Sequence, residues 1–217
     1  MLDLFSKQGI IGLLVSIPGL LLAISMHECA HGYAAYFMGD QTAKYSGRLS
    51  LNPLKHLDIV GALCMLFFRF GWAKPVPINS RNFKNPKVGI IVVSIAGPLA
   101  NFVLGFLSAL GFYLISPHLA FSNMFLQFLK TMFQYSAVMN VGFMVFNLIP
   151  IPPLDGSKIL MEFLPYKVRY HIYRYEQYFG IILIIFVYAG VMTPVLGTLR
   201  TLVLEIYDFI LSPIFSI

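Results

Sequence analysis

From Ile10 to Met38 the chain is apolar for long enough to cross a bilayer as one helix. The only histidine, acidic or basic side chains in that stretch are His27, Glu28 and His31. Each such group costs about 3 kcal/mol in hydrocarbon unless it is paired or hydrated, so a spanning helix that carries all three has a use for them. Residues four apart share a helix face, one turn above the other. His27 and His31 can therefore hold one metal ion, and the pattern H-E-x-x-H suits zinc, which takes nitrogen ligands readily. Glu28 sits about 100° round the helix, where it could accept a proton from a water that the metal makes acidic. Cys29 points to another side and reads as packing. About 25 Å of helix separate Ile10 from His27, and about 12 Å separate His31 from Gly39. The pair thus lies within the membrane, nearer the carboxy-terminal end of the span.

The rest of the chain fits a membrane protein. Of its 217 residues 58% are hydrophobic and 11% charged, where soluble domains are about a quarter charged. The net charge of +6 is then no sign of a nucleic-acid partner. Cys29 and Cys64 both fall in apolar runs and imply no disulfide framework. The fold expected is an all-α polytopic membrane protein, with about five to six transmembrane helices and a small β ribbon or re-entrant segment near the active site. It forms a single membrane-embedded domain over 1–217, with the motifs in 10–160 and additional helices in 161–217.

Residues 47–51 alternate polar and apolar, as a strand does, and Asn52-Pro53 ends them. Ile59 to Phe68 is apolar but too short to span, which suits a re-entrant or interfacial segment. Pro75-Val76-Pro77-Ile78-Asn79 cannot be helix interior and fits an edge strand. Val88 to Ile115 holds no charge in 28 residues and predicts a spanning helix. Within it lie Ala96-Gly97-Pro98 and Asn101. Gly97 and Ala100 fit close helix packing, and a buried amide such as Asn101 needs partners. A further span is predicted over 131–149, with Asn140 and Asn147, running into the proline-rich loop that ends at Asp155-Gly156. Another is predicted over 179–195. Residues 201–217 are apolar but hold Glu205 and Asp208, leaving open whether they cross or lie against the bundle.

Eight of the fifteen lysines and arginines fall in 44–87 and four more in 158–174, while 116–129 has none. With spans at 10–38, 88–115, 131–149 and 179–195, both basic segments lie on one side, the cytoplasm by the positive-inside rule. The amino terminus is then outside, the histidine pair faces the cytoplasmic half, and Asp155 emerges where it can reach the same metal.

These motifs, in this order over residues 20–160, resemble the site-2 protease family of intramembrane zinc metalloproteases: His27-Glu28-x-x-His31, Ala96-Gly97-Pro98 with Asn101, and Asn147 through Asp155-Gly156. The resemblance implies one zinc per chain held by His27, His31 and Asp155, with Glu28 as general base and Asn147 helping to hold substrate. It implies cleavage of a transmembrane segment of another membrane protein, in the lipid bilayer of a bacterial inner membrane. The chain has no room for the PDZ or CBS domain of many relatives and resembles the minimal branch. Its residues name neither a substrate sequence nor a regulatory partner.

Read from the residues, Asp155 could instead cap a helix, and Asn101 and Asn140 could simply bond between helices. Asn147 or Asn101 could also stabilise the oxyanion. Asn147, Asn101, Val76 and Ile78 are the candidate substrate contacts, the last two because an extended substrate could pair with 75–79 as an added strand. Two other functions compete. A metal transporter would need polar groups through the outer half of the first span, where 10–22 offers only Ser16. An inactive helix-binding relative would not need all three chemical positions.

Overall fold

The computed structural model describes residues 7–58, 60–61, 72–116 and 123–215. Its helices are α1 (Lys7–Met38), α2 (Thr42–Tyr45), α3 (Pro86–Ile115), α4 (Met124–Asn147), α5 (Asp155–Met161), α6 (Tyr166–Arg174), α7 (Glu176–Tyr188) and α8 (Thr193–Phe215). Helices α1, α3 and α4 pack against one another, and α8 lies across α3 and α4. Ala109 and Tyr113 of α3, Ala137, Val141 and Met144 of α4, and Tyr207 and Leu211 of α8 form the largest buried apolar cluster.

Helix α3 shows why this bundle belongs in lipid. Its exposed large side chains are Val88, Val92, Ile95, Leu99, Val103, Leu107 and Leu114, spaced by three, four or seven residues down one face. Its buried face carries Gly89, Ser94, Gly97, Asn101, Gly105 and Ser108 instead. Apolar outside and small or polar inside is the inverse of a soluble helix, and small inner residues let membrane helices approach closely. Asn85 starts the helix by accepting the Val88 N–H at 3.2 Å, with Pro86 in the first turn.

The predicted spans are met in part. Among the described residues Leu14–Met38 and Pro86–Ile115 are each long and apolar enough to cross, and α7 with α8 adds a third only if that bent pair is one span. Helix α4 covers most of 131–149 but is more polar, carrying Gln127, Lys130, Gln134 and Asn147 as well as the inner Ser136 and Asn140. The span expected over 179–195 is broken: α7 stops at Tyr188, Gly190 has φ +73°, and α8 starts at Thr193 at 80° to it. A left-handed glycine after one helix and Pro194 in the first turn of the next are ordinary stop and start signals. Residues 201–215 continue α8 and pack on the bundle through Tyr207 and Leu211.

The expected β ribbon is not found among the described residues. Segments 47–51 and 75–79 are neither strand nor helix. Among the described residues the chain pairs instead through one antiparallel bridge between Leu57 and Ala73, next to a 2.8 Å bond from the Lys74 N–H to the His56 carbonyl. A ladder cannot extend from there. Pro53 opens a 3-10 turn on one side, and Pro75 and Pro77 have no N–H to contribute on the other. The buried Arg48 side chain reaches the Lys74 carbonyl at 2.5 Å and holds 75–79 extended beside α1. Most of the short apolar segment expected over 59–68 lies outside the described residues.

Candidate metal centre

His27 and His31 stand one turn apart on the inner face of α1, both buried. Their rings meet edge to face, with centroids 4.5 Å apart. Helix α3 passes close behind them at Gly97, where a Cβ would come within 2.5 Å of His31 Cε1 and Nε2 and 2.7 Å of His27 Cε1. Gly97 is thus the floor on which both imidazoles rest.

Each ring is oriented through its other nitrogen. His27 Nδ1–H donates to Asn101 Oδ1 at 2.6 Å, and His31 Nδ1–H donates to the Val93 carbonyl at 2.7 Å. Because those acceptors are carbonyl oxygens, both Nε2 atoms are left with lone pairs. Asp155, the first residue of α5, completes the cluster. Its Oδ2 lies 3.1 Å from His27 Nε2 and 3.0 Å from His31 Nε2, and the two nitrogens are 2.9 Å apart. Three acceptors gathered this closely with no hydrogen to share call for a cation between them. Tetrahedral zinc, with bonds of about 2 Å, needs ligand atoms about 3.3 Å apart, so the donor set and its spacing fit zinc. Asp155 does not act as the helix cap, since Leu154 occupies that position. Its other oxygen, Oδ1, accepts from Lys158 Nζ at 2.9 Å.

Comparison with known proteins agrees with this geometry. The chain is 39% identical over 202 residues to "Putative zinc metalloprotease YwhC" of Bacillus subtilis (strain 168), covering 90% of this chain and 91% of that one. The profile described as "Peptidase family M50" matches residues 117–189. The chain belongs to peptidase family M50, the site-2 protease family. It is therefore a peptidase, a hydrolase of peptide bonds, and an integral membrane protein. "Putative zinc metalloprotease Rip2" is 29% identical over 150 residues in Mycolicibacterium smegmatis (strain ATCC 700084 / mc(2)155) and 28% over 148 in Mycobacterium tuberculosis (strain ATCC 25618 / H37Rv). Those matches span about half of each Rip2 chain, 53% and 55%. No solved structure matches the chain.

The remaining candidate residues of this M50 peptidase divide between two places. A cavity of about 440 Å³ opens at the metal cluster and is lined by Glu28, Val76, Ile78 and Asn147 among others. Glu28 Oε2 accepts the Val76 N–H at 2.8 Å, which ties the candidate base to the extended 75–79 segment. Asn147 ends α4 with its amide donating back to the Phe143 carbonyl at 3.0 Å. Asn101 lines no part of this cavity. Its oxygen is taken by His27, and its nitrogen donates to the Ala23 carbonyl at 3.0 Å and Asn140 Oδ1 at 2.9 Å. It is placed to orient His27, away from the cavity wall.

Two positions around the site, Lys158 and Asp40, are not singled out by the sequence analysis. Lys158 lines the metal cavity and bonds Asp155; its place three residues after Asp155 on a helix was the available signal. Asn140 makes the interhelical bond expected of it, to Asn101, and is itself held by the Ser136 carbonyl at 2.8 Å. Asp40, buried just past α1, accepts from Thr42, the Asn79 N–H at 2.7 Å and Asn82 at 2.7 Å, and so fastens the end of the 75–82 segment to the end of α1. Nothing in the sequence around Asp40 distinguishes it from an ordinary turn residue.

Proposed function

We propose that this protein is an intramembrane zinc endopeptidase, which cuts a transmembrane segment of another membrane protein. The observation that carries this reading is the cluster of His27, His31 and Asp155 acceptor atoms, built on a helix able to cross the bilayer and opening to a cavity that Glu28 also lines. One zinc per chain would be held by those three residues. Bound there, zinc supplies Lewis acidity to the scissile carbonyl and to the attacking water.

The chain's own residues supply the rest. Glu28, at the cavity wall and outside the ligand set, takes the proton of the attacking water and returns it to the leaving amine. A substrate helix must unwind to reach it. The 75–79 segment supports pairing with the unwound strand, since Pro75 and Pro77 leave it donors at Val76, Ile78 and Asn79, and the Asn79 N–H is already held by Asp40 at 2.7 Å. The Val76 N–H is engaged by Glu28, and the Ile78 N–H takes no partner among the described residues. Substrate can therefore add at Ile78, on one side of the segment. Asn147 lines the same cavity, and its amide, bonded through one hydrogen to the Phe143 carbonyl, has a second to offer the same strand.

The protein crosses the membrane several times in this reading. Residues 40–87 and 156–175 face the cytoplasm of a bacterial inner membrane, with 116–129 and the amino terminus outside, as the lysine and arginine distribution favours.

The test is purified protein reconstituted with zinc and offered transmembrane peptides. Wild type should cleave within the apolar segment. Glu28→Gln should keep one zinc per chain and lose turnover. Equal cleavage by the two proteins, or zinc retention after His27→Ala and Asp155→Ala together, would overturn the reading.

A further inference from the structure

A second cavity, of about 370 Å³, shares His27, Glu28, Asn147 and Pro153 with the metal cavity. Beyond that shared wall its character changes. It is closed by Ile24 of α1, Phe143 and Phe146 of α4, Leu183 of α7 and the Trp72-Ala73 pair. The Leu57–Ala73 bridge fixes the backbone next to Trp72. Nothing in the metal chemistry requires this space. Its size falls at the lower end of ligand pockets, roughly 300–1,000 Å³.

We infer that this second cavity is a specificity subsite, which receives one bulky apolar side chain, leucine or phenylalanine in kind, from a residue flanking the scissile bond of the substrate. The inference rests on the proteolytic reading for its occupant. An extended substrate lying along 75–79 with its scissile carbonyl at the metal cluster directs successive side chains to opposite sides. One flanking side chain then meets the wall of Glu28, His27 and Asn147, beyond which the apolar space lies. The base and the subsite share Glu28, so a side chain that fills the subsite also fixes the backbone at the point where the proton is transferred. Burial of such a side chain should favour leucine or phenylalanine over alanine by about tenfold or more in kcat/KM.

Gly180 provides the means to test it. A Cβ there would meet only Pro153 Cδ, at 3.9 Å, so a longer side chain can grow into the cavity without displacing backbone. Trp72, the one tryptophan of the chain, reports occupancy directly. The cleaved bond of one transmembrane peptide is mapped by mass spectrometry, and each flanking residue is then varied as alanine, leucine or phenylalanine. Cleavage of each peptide is compared for wild type and Gly180→Leu. Binding is followed by Trp72 fluorescence in the Glu28→Gln protein.

The expected result is a preference for the large side chain at one flanking position. Gly180→Leu should lower that preference ratio about tenfold, and Trp72 should respond to the phenylalanine peptide at lower concentration than to the alanine peptide. Size-dependent Trp72 binding with no cleavage of any peptide would support the subsite and overturn the proteolytic reading. Cleavage without size preference at either position overturns the subsite. So does a Gly180→Leu protein that keeps the wild-type ratio, or a Trp72 response equalled by lipid or detergent alone.

Discussion

His27 Nδ1 lies 2.6 Å from Asn101 Oδ1, both buried, across the contact of α1 and α3. The bond decides which imidazole nitrogen carries the proton, and so which is free for metal. Its strength depends on Asn140, whose Oδ1 takes the Asn101 amide and whose own amide is taken by the Ser136 carbonyl. The line continues from Ser136 to the Ser108 hydroxyl at 2.9 Å. Asn101, Asn140, Ser136 and Ser108 thus form one hydrogen-bonded line that ends on His27.

Replacing Asn101 with alanine should weaken zinc binding about 10–100-fold, the usual effect of losing a ligand's outer partner. Asn140→Ala should act in the same direction and less strongly, because Asn101 keeps its bond to the Ala23 carbonyl at 3.0 Å. Competition with a chelator measures both. If Asn101→Ala binds zinc as wild type does, the bond to His27 is packing alone.

Gly97→Ala should lose zinc and activity, although alanine is the better helix former. Its Cβ would overlap both imidazoles, at 2.5 and 2.7 Å. Gly142→Ala is the control: a Cβ at Gly142 meets nothing within 4 Å. It should keep both properties. Equal behaviour of the two variants in metal content would remove Gly97 from the site.

The histidine pair of the candidate metal site was legible in the sequence because spacing on one helix fixes relative position, and because charge in an apolar run is costly. Asp155, 124 positions after His31, was legible through the side of the membrane given by the lysine and arginine distribution and through the order of motifs. The bundle's inverted packing was partly visible in Gly97 and Asn101. What sequence did not reveal depended on tertiary partners. Alternation at 47–51 suggested a strand, but Arg48 turns inward to the Lys74 carbonyl. The break at Gly190 carried a glycine and a proline that were outweighed by the apolar run around them. Asn101 was polar in the right helix, but its role depends on a ring contributed by α1.

Acidification should release the substrate-facing segment. Burial pushes the Asp40 carboxyl up, but hydrogen bonds from Asn79, Thr42 and Asn82 outweigh it and hold the group below the usual aspartate value of 3.8. A carboxylate with a depressed folded value contributes stability that is full above the ordinary value and is lost as pH falls through the folded one. The protection of residues 75–82 against hydrogen exchange, corrected for the intrinsic pH dependence of amide exchange, should therefore be high and flat above about pH 5 and fall below the ordinary aspartate value. Asp40→Asn should remove that pH dependence. A profile unchanged in the variant would assign the transition to another group.

Lys158 touches Asp155 and not the histidines, so its effect should appear in metal affinity before it appears in turnover. Its ammonium bonds Oδ1 at 2.9 Å, which leaves Oδ2 directed to the two Nε2 atoms. The side chain is about half exposed (48%), and water screens such a pair, so the effect is modest. Lys158→Met should lower zinc affinity about tenfold, while kcat at saturating zinc changes by less than about twofold, within about 0.4 kcal/mol of barrier. Lys158→Arg should restore most of the affinity, since it keeps both charge and donor. The alternative is that Lys158 meets the developing oxyanion at the cavity it lines. In that case the zinc-saturated methionine variant would lose kcat by 10- to 100-fold or more, in the way of other donors to that charge. The ratio of the two effects therefore separates a residue that holds a ligand from one that touches the transition state.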